Sequence, residues 1–300
     1  MKAFKFLSNT ALVFSLVLLA SCSSNDDQEE TGYKKQKLEF KAVAESSDAT
    51  RATLESDYTV SWDENDEISV FCDNGDDAVN FGITPSSVDG STATFTNYGE
   101  VLPLWFDPDN FYYALYPRAS ATFDVSTKRI TSVMPTNQTV SSGRTYDKKA
   151  LFMTACADKD ERIFNFKNVP ALIKVTISNN AAGKVGAIEI ESKNKANILS
   201  GNFVVSPIYN TSEIGFTAVS NADKKHTVKL DIPASAESQD FYIAVLPGRV
   251  NGLILKFEKG GAKSSAVVAS LDGDDTVEFK RSKIYDFGSY DIEQLVPDVK

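Results

Sequence analysis

Few residues in this 300-residue chain are of a type and spacing that do chemistry. The single histidine, His226, lies in the polar stretch Asp223-Lys224-Lys225-His226-Thr227, just ahead of the alternating run Val228, Leu230, Ile232. Nucleophilic catalysis of the Ser-His-Asp or Cys-His kind would have to recruit that one imidazole, whose setting is a solvated loop. No HExxH, paired CxxC, GxGxxG or P-loop pattern occurs, so no enzyme activity, cofactor or metal is expected. Asp73-Asn74-Gly75-Asp76-Asp77 and Asp272-Gly273-Asp274-Asp275 lack EF-hand spacing and its closing Glu, and read as turns between strands. The thiols are more telling. Cys22 follows Leu19-Ala20-Ser21, at the end of an apolar stretch of nine residues that Lys2 and Lys5 lead into. A basic start, a short apolar run and small residues at the cut describe an export signal. The run is far shorter than the roughly 20 residues of a bilayer-crossing helix. Cys72 and Cys156 lie in strand-like apolar runs and read as two buried thiols, with a bridge between them left open.

The Leu-Ala-Ser-Cys site resembles the lipobox of bacterial lipoproteins, which implies cleavage of residues 1–21 and acylation of Cys22. Residues 22–32 are then an acidic tether with too little apolar surface to fold. Its acidic run also resembles the tag that sends some lipoproteins to the outer face of the outer membrane. Formal charge is −10 for the whole chain, and losing Lys2 and Lys5 takes it to about −12. With no compensating basic cluster, nucleic acid is excluded as a partner.

The elements that must position any site follow from a period of two. Tyr58/Val60/Trp62, Ile68/Val70/Cys72, Ile173/Val175/Ile177, Val228/Leu230/Ile232 and Leu253/Leu255/Phe257 all alternate, bounded by Asn, Asp, Gly, Ser and Pro. Such runs predict half-buried antiparallel strands and an all-β fold of sandwiches. Phe111-Tyr112-Tyr113-Ala114-Leu115-Tyr116-Pro117 is echoed by Phe241-Tyr242-Ile243-Ala244-Val245-Leu246-Pro247, with apolar residues on both faces. The echo suggests two related halves, 33–161 and 162–300. Trp105, Phe106, Tyr112, Tyr113 and Tyr116 read as core, with stacking on sugar rings as the alternative.

Leu38, Phe40, Ala42 and Ala44 share one face of a predicted strand, and the small polar loop Glu45-Ser46-Ser47-Asp48-Ala49-Thr50-Arg51 follows it. Arg51 is the only basic residue between Lys41 and Arg118, so a trypsin-like protease has one clear target, the Arg51–Ala52 bond. At this point the chain resembles the fimbrillin family, subunits of the type V pili of Gram-negative anaerobes. The resemblance runs in order through Ala49-Thr50-Arg51, Val60-Ser61-Trp62, Asp66 to Phe71, Phe111 to Pro117, Met134-Pro135 with Gln138, Phe164-Asn165-Phe166, Ala171 to Val175, Phe241 to Gly248, and Ile284 to Gly288. It implies two tandem transthyretin-like β-sandwich domains, lipoprotein export to the cell surface, Arg-directed removal of the first strand, and pilin subunits as partners.

Strand physics then supplies an assembly scheme. A sheet that loses a strand exposes unpaired backbone beside an apolar groove, which a neighbour's extended segment fills by strand addition. The expected donor is the tail Ser289-Tyr290-Asp291-Ile292-Glu293-Gln294-Leu295-Val296, with Tyr290, Ile292, Leu295 and Val296 as its knobs. Adjacent Leu295 and Val296 cannot both face one groove, and Pro297 ends any ladder. An anchor or tip subunit, or a monomeric glycan-binding surface lipoprotein, stands as the alternative. Asp275-Thr276-Val277 resembles a short O-glycosylation acceptor, or is a hydroxyl at a strand start. Replacing Cys22 by Ser should move the precursor out of the membrane fraction, because the acyl chains supply stable anchoring. Unchanged membrane retention on fractionation would reject the assignment.

Overall fold

Alternation in sequence becomes alternation of burial. Gly201–Pro207 is buried at every second residue, and Thr227–Asp231 and Leu253–Lys259 follow the same rhythm, because successive strand side chains point to opposite faces. The computed structural model describes residues 33–35, 38–45, 55–72, 81–97, 101–103, 110–141, 143–178, 185–220, 225–233, 239–259, 262–268, 276–291 and 293–294. Their regular structure is nearly all strand. Among the described residues the one helical turn is the 3-10 turn Lys148–Ala150, capped by the Asp147 side chain, which accepts from the Lys149 N–H.

Three strands break the alternation. Ile68–Cys72, Phe111–Tyr116 and Met153–Asp158 are buried at nearly every position. They are neighbours in the middle of one five-stranded sheet, whose outer strands are Lys167–Asn168 and Phe81–Ile83. A strand apolar on both faces must be covered on both. One cover is the four-stranded sheet Ile163–Asn165, Glu39–Val43, Thr92–Thr96, Pro85–Asp89. From it Phe40 meets Tyr112 edge-on at 4.9 Å, and Trp62 stands between Phe95 and Tyr116 at 5.3 and 5.1 Å. The other cover is the four-stranded sheet Thr122–Asp124, Arg129–Met134, Gly201–Pro207, Ile214–Ala218. Its Phe123 packs on Phe71 and Tyr113 at 5.4 and 4.9 Å, and its Phe203 on Phe152 at 5.0 Å.

A second core lies in a two-layer sandwich. Gln239–Val245, Ala171–Ser178, Lys283–Asp291 and Glu55–Asp57 form one sheet, and Asn137–Thr139, Thr227–Asp231, Val185–Ser192, Leu253–Lys259 and Ala262–Val268 the other. Ile173, Val175, Ile190, Leu230, Phe241 and Phe257 fill the space between. Beside the expected division into 33–161 and 162–300, the two cores are interleaved in sequence. The first takes Phe164, Phe166, Val169, Phe203 and Val205, while Glu55–Asp57 and Asn137–Thr139 pair within the second sandwich.

Most strand pairs among the described residues are antiparallel, as expected, but three run parallel. Ile163–Asn165 runs parallel to Glu39–Val43, Lys283–Asp291 parallel to Ala171–Ser178, and Asn137–Thr139 parallel to Thr227–Asp231. A period of two reports which face is buried and is silent on strand direction. A further strand, Tyr33–Lys35, precedes the one expected at 38–44 and pairs with Val101–Pro103. Gln138 is fully buried and acts as a strand substitute. Its Nε2 donates to the Ala244 carbonyl at 2.7 Å, and its Oε1 accepts from the Ala244 N–H at 3.0 Å.

Cys72 pairs with Tyr112 and Cys156 with Tyr113, on opposite sides of the same strand. Adjacent residues of that strand face opposite ways, so the two cysteines lie on opposite faces of the sheet and about 9–10 Å apart across it. That is beyond the reach of a disulfide. Both are buried and unbridged.

Because Phe203 carries the second half's share of the cover, Phe203→Ala should cost about 3–5 kcal/mol. Val133→Ala, at a position 52% exposed on the same sheet, should stay within about 0.5 kcal/mol. Urea unfolding midpoints would show equal costs if Phe203 were not holding the layer.

Candidate functional site: the slot of the 39–43 strand

The strand Glu39–Val43 is central in its sheet. It pairs antiparallel with Thr92–Thr96 on one edge and parallel with Ile163–Asn165 on the other. Leu38, Phe40 and Ala42 are fully buried and Ala44 is 2% exposed, so all four knobs face the core. Phe40 stacks on Phe164 at 4.9 Å besides its edge contact with Tyr112. Leu38 and Phe40 each contribute about 1.5–3 kcal/mol by burial. Removing this strand would leave a slot with two unpaired edges, where an ordinary sheet edge presents only one.

Both ends of the strand are pinned by side chains. At the start, the Leu38 N–H donates to Asn97 Oδ1 at 2.9 Å and the Leu38 carbonyl accepts from the Asn97 N–H at 3.2 Å. At the finish, the Ala44 N–H donates to the Ser91 carbonyl at 2.8 Å, and the Val43 carbonyl accepts from the Phe166 N–H at 2.8 Å. Glu45 Oε2 then accepts from the Asn168 N–H at 2.8 Å and from Arg281 Nη2 at 2.5 Å. Asn168, fully buried, donates through Nδ2 to the Tyr58 carbonyl and to Ser282 Oγ. The Tyr58 hydroxyl donates to the Pro170 carbonyl at 3.0 Å. Burial first, and then the charge of Glu45, push that phenol well above its ordinary range, with Arg281 acting the other way. Glu45 and Tyr58 stand on either side of residues 46–54 in sequence, and both are tied to one polar node between the cores.

The residues expected from sequence fall in different places. Leu38, Phe40, Ala42 and Ala44 come together in the slot. Cys22, Arg51 and Ala52 lie outside the described residues, as do Ile292, Leu295 and Val296. So do Trp105, Phe106 and both acidic clusters, Asp73 to Asp77 and Asp272 to Asp275. Tyr290 lies inside the last strand, Lys283–Asp291, opposite Ile177, and packs on Phe257 at 5.0 Å. The domain strand therefore runs three residues further than the sequence suggested, because Tyr290 finds an apolar partner in the second core. A free tail can begin only after Asp291. Tyr112, Tyr113 and Tyr116 are 1%, 5% and 1% exposed, so they are core and offer no platform to a sugar. Thr276 opens a strand and its Oγ1 accepts from Asn251 Nδ2 at 3.0 Å. His226 lies 3.7 Å from Glu191 on an outer face, where Lys256 also ties Glu189 and Glu191 together. Among the described residues no group of His, Cys, Asp and Glu converges as a metal site. Sequence reasoning missed Asn97, Asn168 and Arg281, whose bonds to the strand cross up to 236 residues and leave no local pattern.

A second polar feature is a cleft of about 860 Å3, lined among others by Asp63, Asp66, Tyr116, Arg118, Val133, Arg144 and Lys148. Asp63 pairs with Arg144 at 2.5 Å and with Lys148, which also reaches Asp66 at 2.8 Å. Asp66 accepts from the buried Tyr116 hydroxyl at 3.1 Å. Burial pushes the Asp63 carboxyl up, but hydrogen bonds from Lys148 and Arg144 outweigh it and hold it below the usual carboxylate range.

This arrangement of sheets is a known all-β fold. A candidate cell adhesion protein of Bacteroides ovatus superimposes with a TM-score of 0.51 at 15% identity, over 89% of this chain and 96% of that one. A second candidate cell adhesion protein, from Bacteroides uniformis, gives 0.49 at 15% identity, over 88% and 96% of the two chains. The C-terminally truncated tip fimbrial protein Mfa3 of Porphyromonas gingivalis gives 0.36 at 12% identity, over 84% and 94%. No family model and no curated protein sequence matches. At these identities the first likeness establishes the fold alone.

The Asp63 cluster sets a pH dependence. A carboxyl whose folded pKa lies below its unfolded value of about 3.9 adds stability above that value and loses it as pH falls through the folded one. Asp63→Asn should thus lower the urea midpoint at neutral pH, and the two curves should converge as pH falls below the folded carboxyl's own pKa. A constant offset at every pH would instead assign the loss to packing.

Proposed function

We propose that this chain is a structural and adhesive subunit of a cell-surface fimbria of the fimbrillin kind, polymerising by strand exchange once its first strand is cut away. In this reading Cys22 carries the lipid that holds the precursor at the outer membrane, and the halves correspond to tandem transthyretin-like domains. The Arg51–Ala52 bond is the protease target. The observation that carries the reading is the double-edged slot of Glu39–Val43, whose strand is followed by residues 46–54 and then by Glu55–Asp57 in the other sandwich. A cut in that stretch leaves Glu55–Asp57 attached to the body and detaches the slot strand from everything after it. The likeness in fold to a candidate cell adhesion protein agrees with this.

Uncut, the strand holds its place at the high effective concentration of an intramolecular partner, which a donor cannot match. Cut, it can leave, and a neighbour's segment can take both edges at once. The donor is the tail beyond Asp291, whose knobs are Ile292, Leu295 and Val296, with Tyr290 joining only if the end of its own strand peels away. Partners are thus other copies of this chain or related subunits. An anchor or tip role would use the same slot without the donor.

Arg51→Ala should leave folding within about 0.5 kcal/mol of the parent and hold the protein as a lipidated monomer. Deleting residues 292–300 should permit cleavage but stop growth. Detergent-resistant ladders on a gel from Arg51→Ala protein would show that this bond is not the switch. Retention of the monomer on polysaccharide, with no fibres by electron microscopy after protease treatment, would favour the glycan-binding alternative.

A further inference from the structure

Glu45 is the last described residue before the loop, and it would depart with the slot strand. What it touches would stay. The Asn168 N–H and Arg281 Nη2 both point at Glu45 Oε2, at 2.8 and 2.5 Å. Arg281 does not depend on Glu45 for its position, since its Nε donates to the Asn168 carbonyl at 2.9 Å. The Arg281 and Glu45 side chains are only 24% and 16% exposed. The node holds one unused acceptor, on an amide whose other end is already engaged. Asn168 Nδ2 is committed to Tyr58 and Ser282, and its buried Oδ1 has no partner among the described residues. If Glu45 leaves, a half-buried guanidinium and a buried amide lose their shared acceptor. Leaving such charged and buried donors unmet is costly.

We infer that Arg281 and the Asn168 amide form a carboxylate socket at the end of the slot, with two consequences. The socket retains the strand after the chain is cut. It also selects for an acidic side chain directly after the apolar run of any strand that replaces it. The second consequence rests on the strand-exchange reading, whereas the first does not. The ligand is a carboxylate carried on an extended peptide, one oxygen of which is recognised by a guanidinium N–H and a backbone N–H together. In a second copy of this chain, the acidic residues beyond the last strand are Glu293 and Asp298.

The test uses the full chain with a site-specific protease sequence inserted after Ser47, cut in the loop and followed by size exclusion and mass spectrometry. The parent should hold its N-terminal fragment, while Glu45→Gln and Arg281→Gln should each shorten its residence by about ten- to a hundredfold. The double variant should be no worse than the worse single one, because both remove the same contact. Where Arg281→Gln fails to fold, Arg281→Lys, which keeps the charge but not the second donor that holds the side chain to the Asn168 carbonyl, should give an intermediate residence. Once the fragment has left, a synthetic peptide of residues 37–46 should bind more tightly than its Glu45→Gln version by the same factor. Equal residence of parent and Glu45→Gln fragments overturns the socket, and so do single effects that multiply in the double variant. Fibre growth by the same cut samples under the electron microscope reports on polymerisation alone, so either idea can fail without the other.

Discussion

A sheet that is apolar on both faces cannot stand at a surface, and much of this molecule is arranged around that constraint. Tyr112, Ala114 and Tyr116 point one way from the Phe111–Tyr116 strand, and Tyr113 and Leu115 the other, all at 5% exposure or less. Each face therefore demands its own cover. One cover is made from the beginning of the chain together with residues 163–165, and the other from residues 122–134 and 201–218. Neither can be completed by a contiguous piece of sequence. The two cores interleave because the middle sheet needs more cover than its own stretch of chain supplies.

The slot follows from the same demand. Glu39–Val43 is the strand that lays Phe40 over Tyr112 and Phe164, so the first core is closed by a segment near the start of the chain. Its neighbours on either edge come from residues 92–96 and 163–165. The covering strand is held by its ladders, by Asn97 at one end and by the Asn168–Arg281 node at the other. On the proposed strand exchange, the same segment meets opposing requirements, a tight core before the event and an open groove after it. The division of labour is spatial: apolar knobs in the middle, polar clasps at the ends.

Much of the local structure was legible in the sequence. The face shared by Leu38, Phe40, Ala42 and Ala44 is plain from their spacing, and so is the double-sided character of Phe111 to Tyr116. The parallel pairing of 39–43 with 163–165 was not legible, since alternation is blind to direction. Nor was the cover built from 201–218, because each of its strands looks like any half-buried strand. The clasp residues were invisible for another reason. Glu45 reads as one more polar loop residue, and Arg281 as one more turn cation, until the fold brings them across 236 positions to 2.5 Å. Tyr290 shows the converse. Read as the start of a tail, it proved to be held by Phe257, a contact no local pattern announces.

The parallel neighbour of the slot strand also governs when the molecule can close during its own folding. Contacts between residues 39–43 and 163–165 span more than a hundred positions, and loops of that length are slow to bring together. A chain emerging with its beginning first has the Thr92–Thr96 partner early but must wait for Asn165 before the second edge exists. The node at Glu45 waits longer still, until Arg281 has appeared near the far end. Over that interval the strand is half-paired and the groove beside it open. The newborn chain thus passes through a state with the strand in place and one of its edges open, whereas loss of the strand would open both.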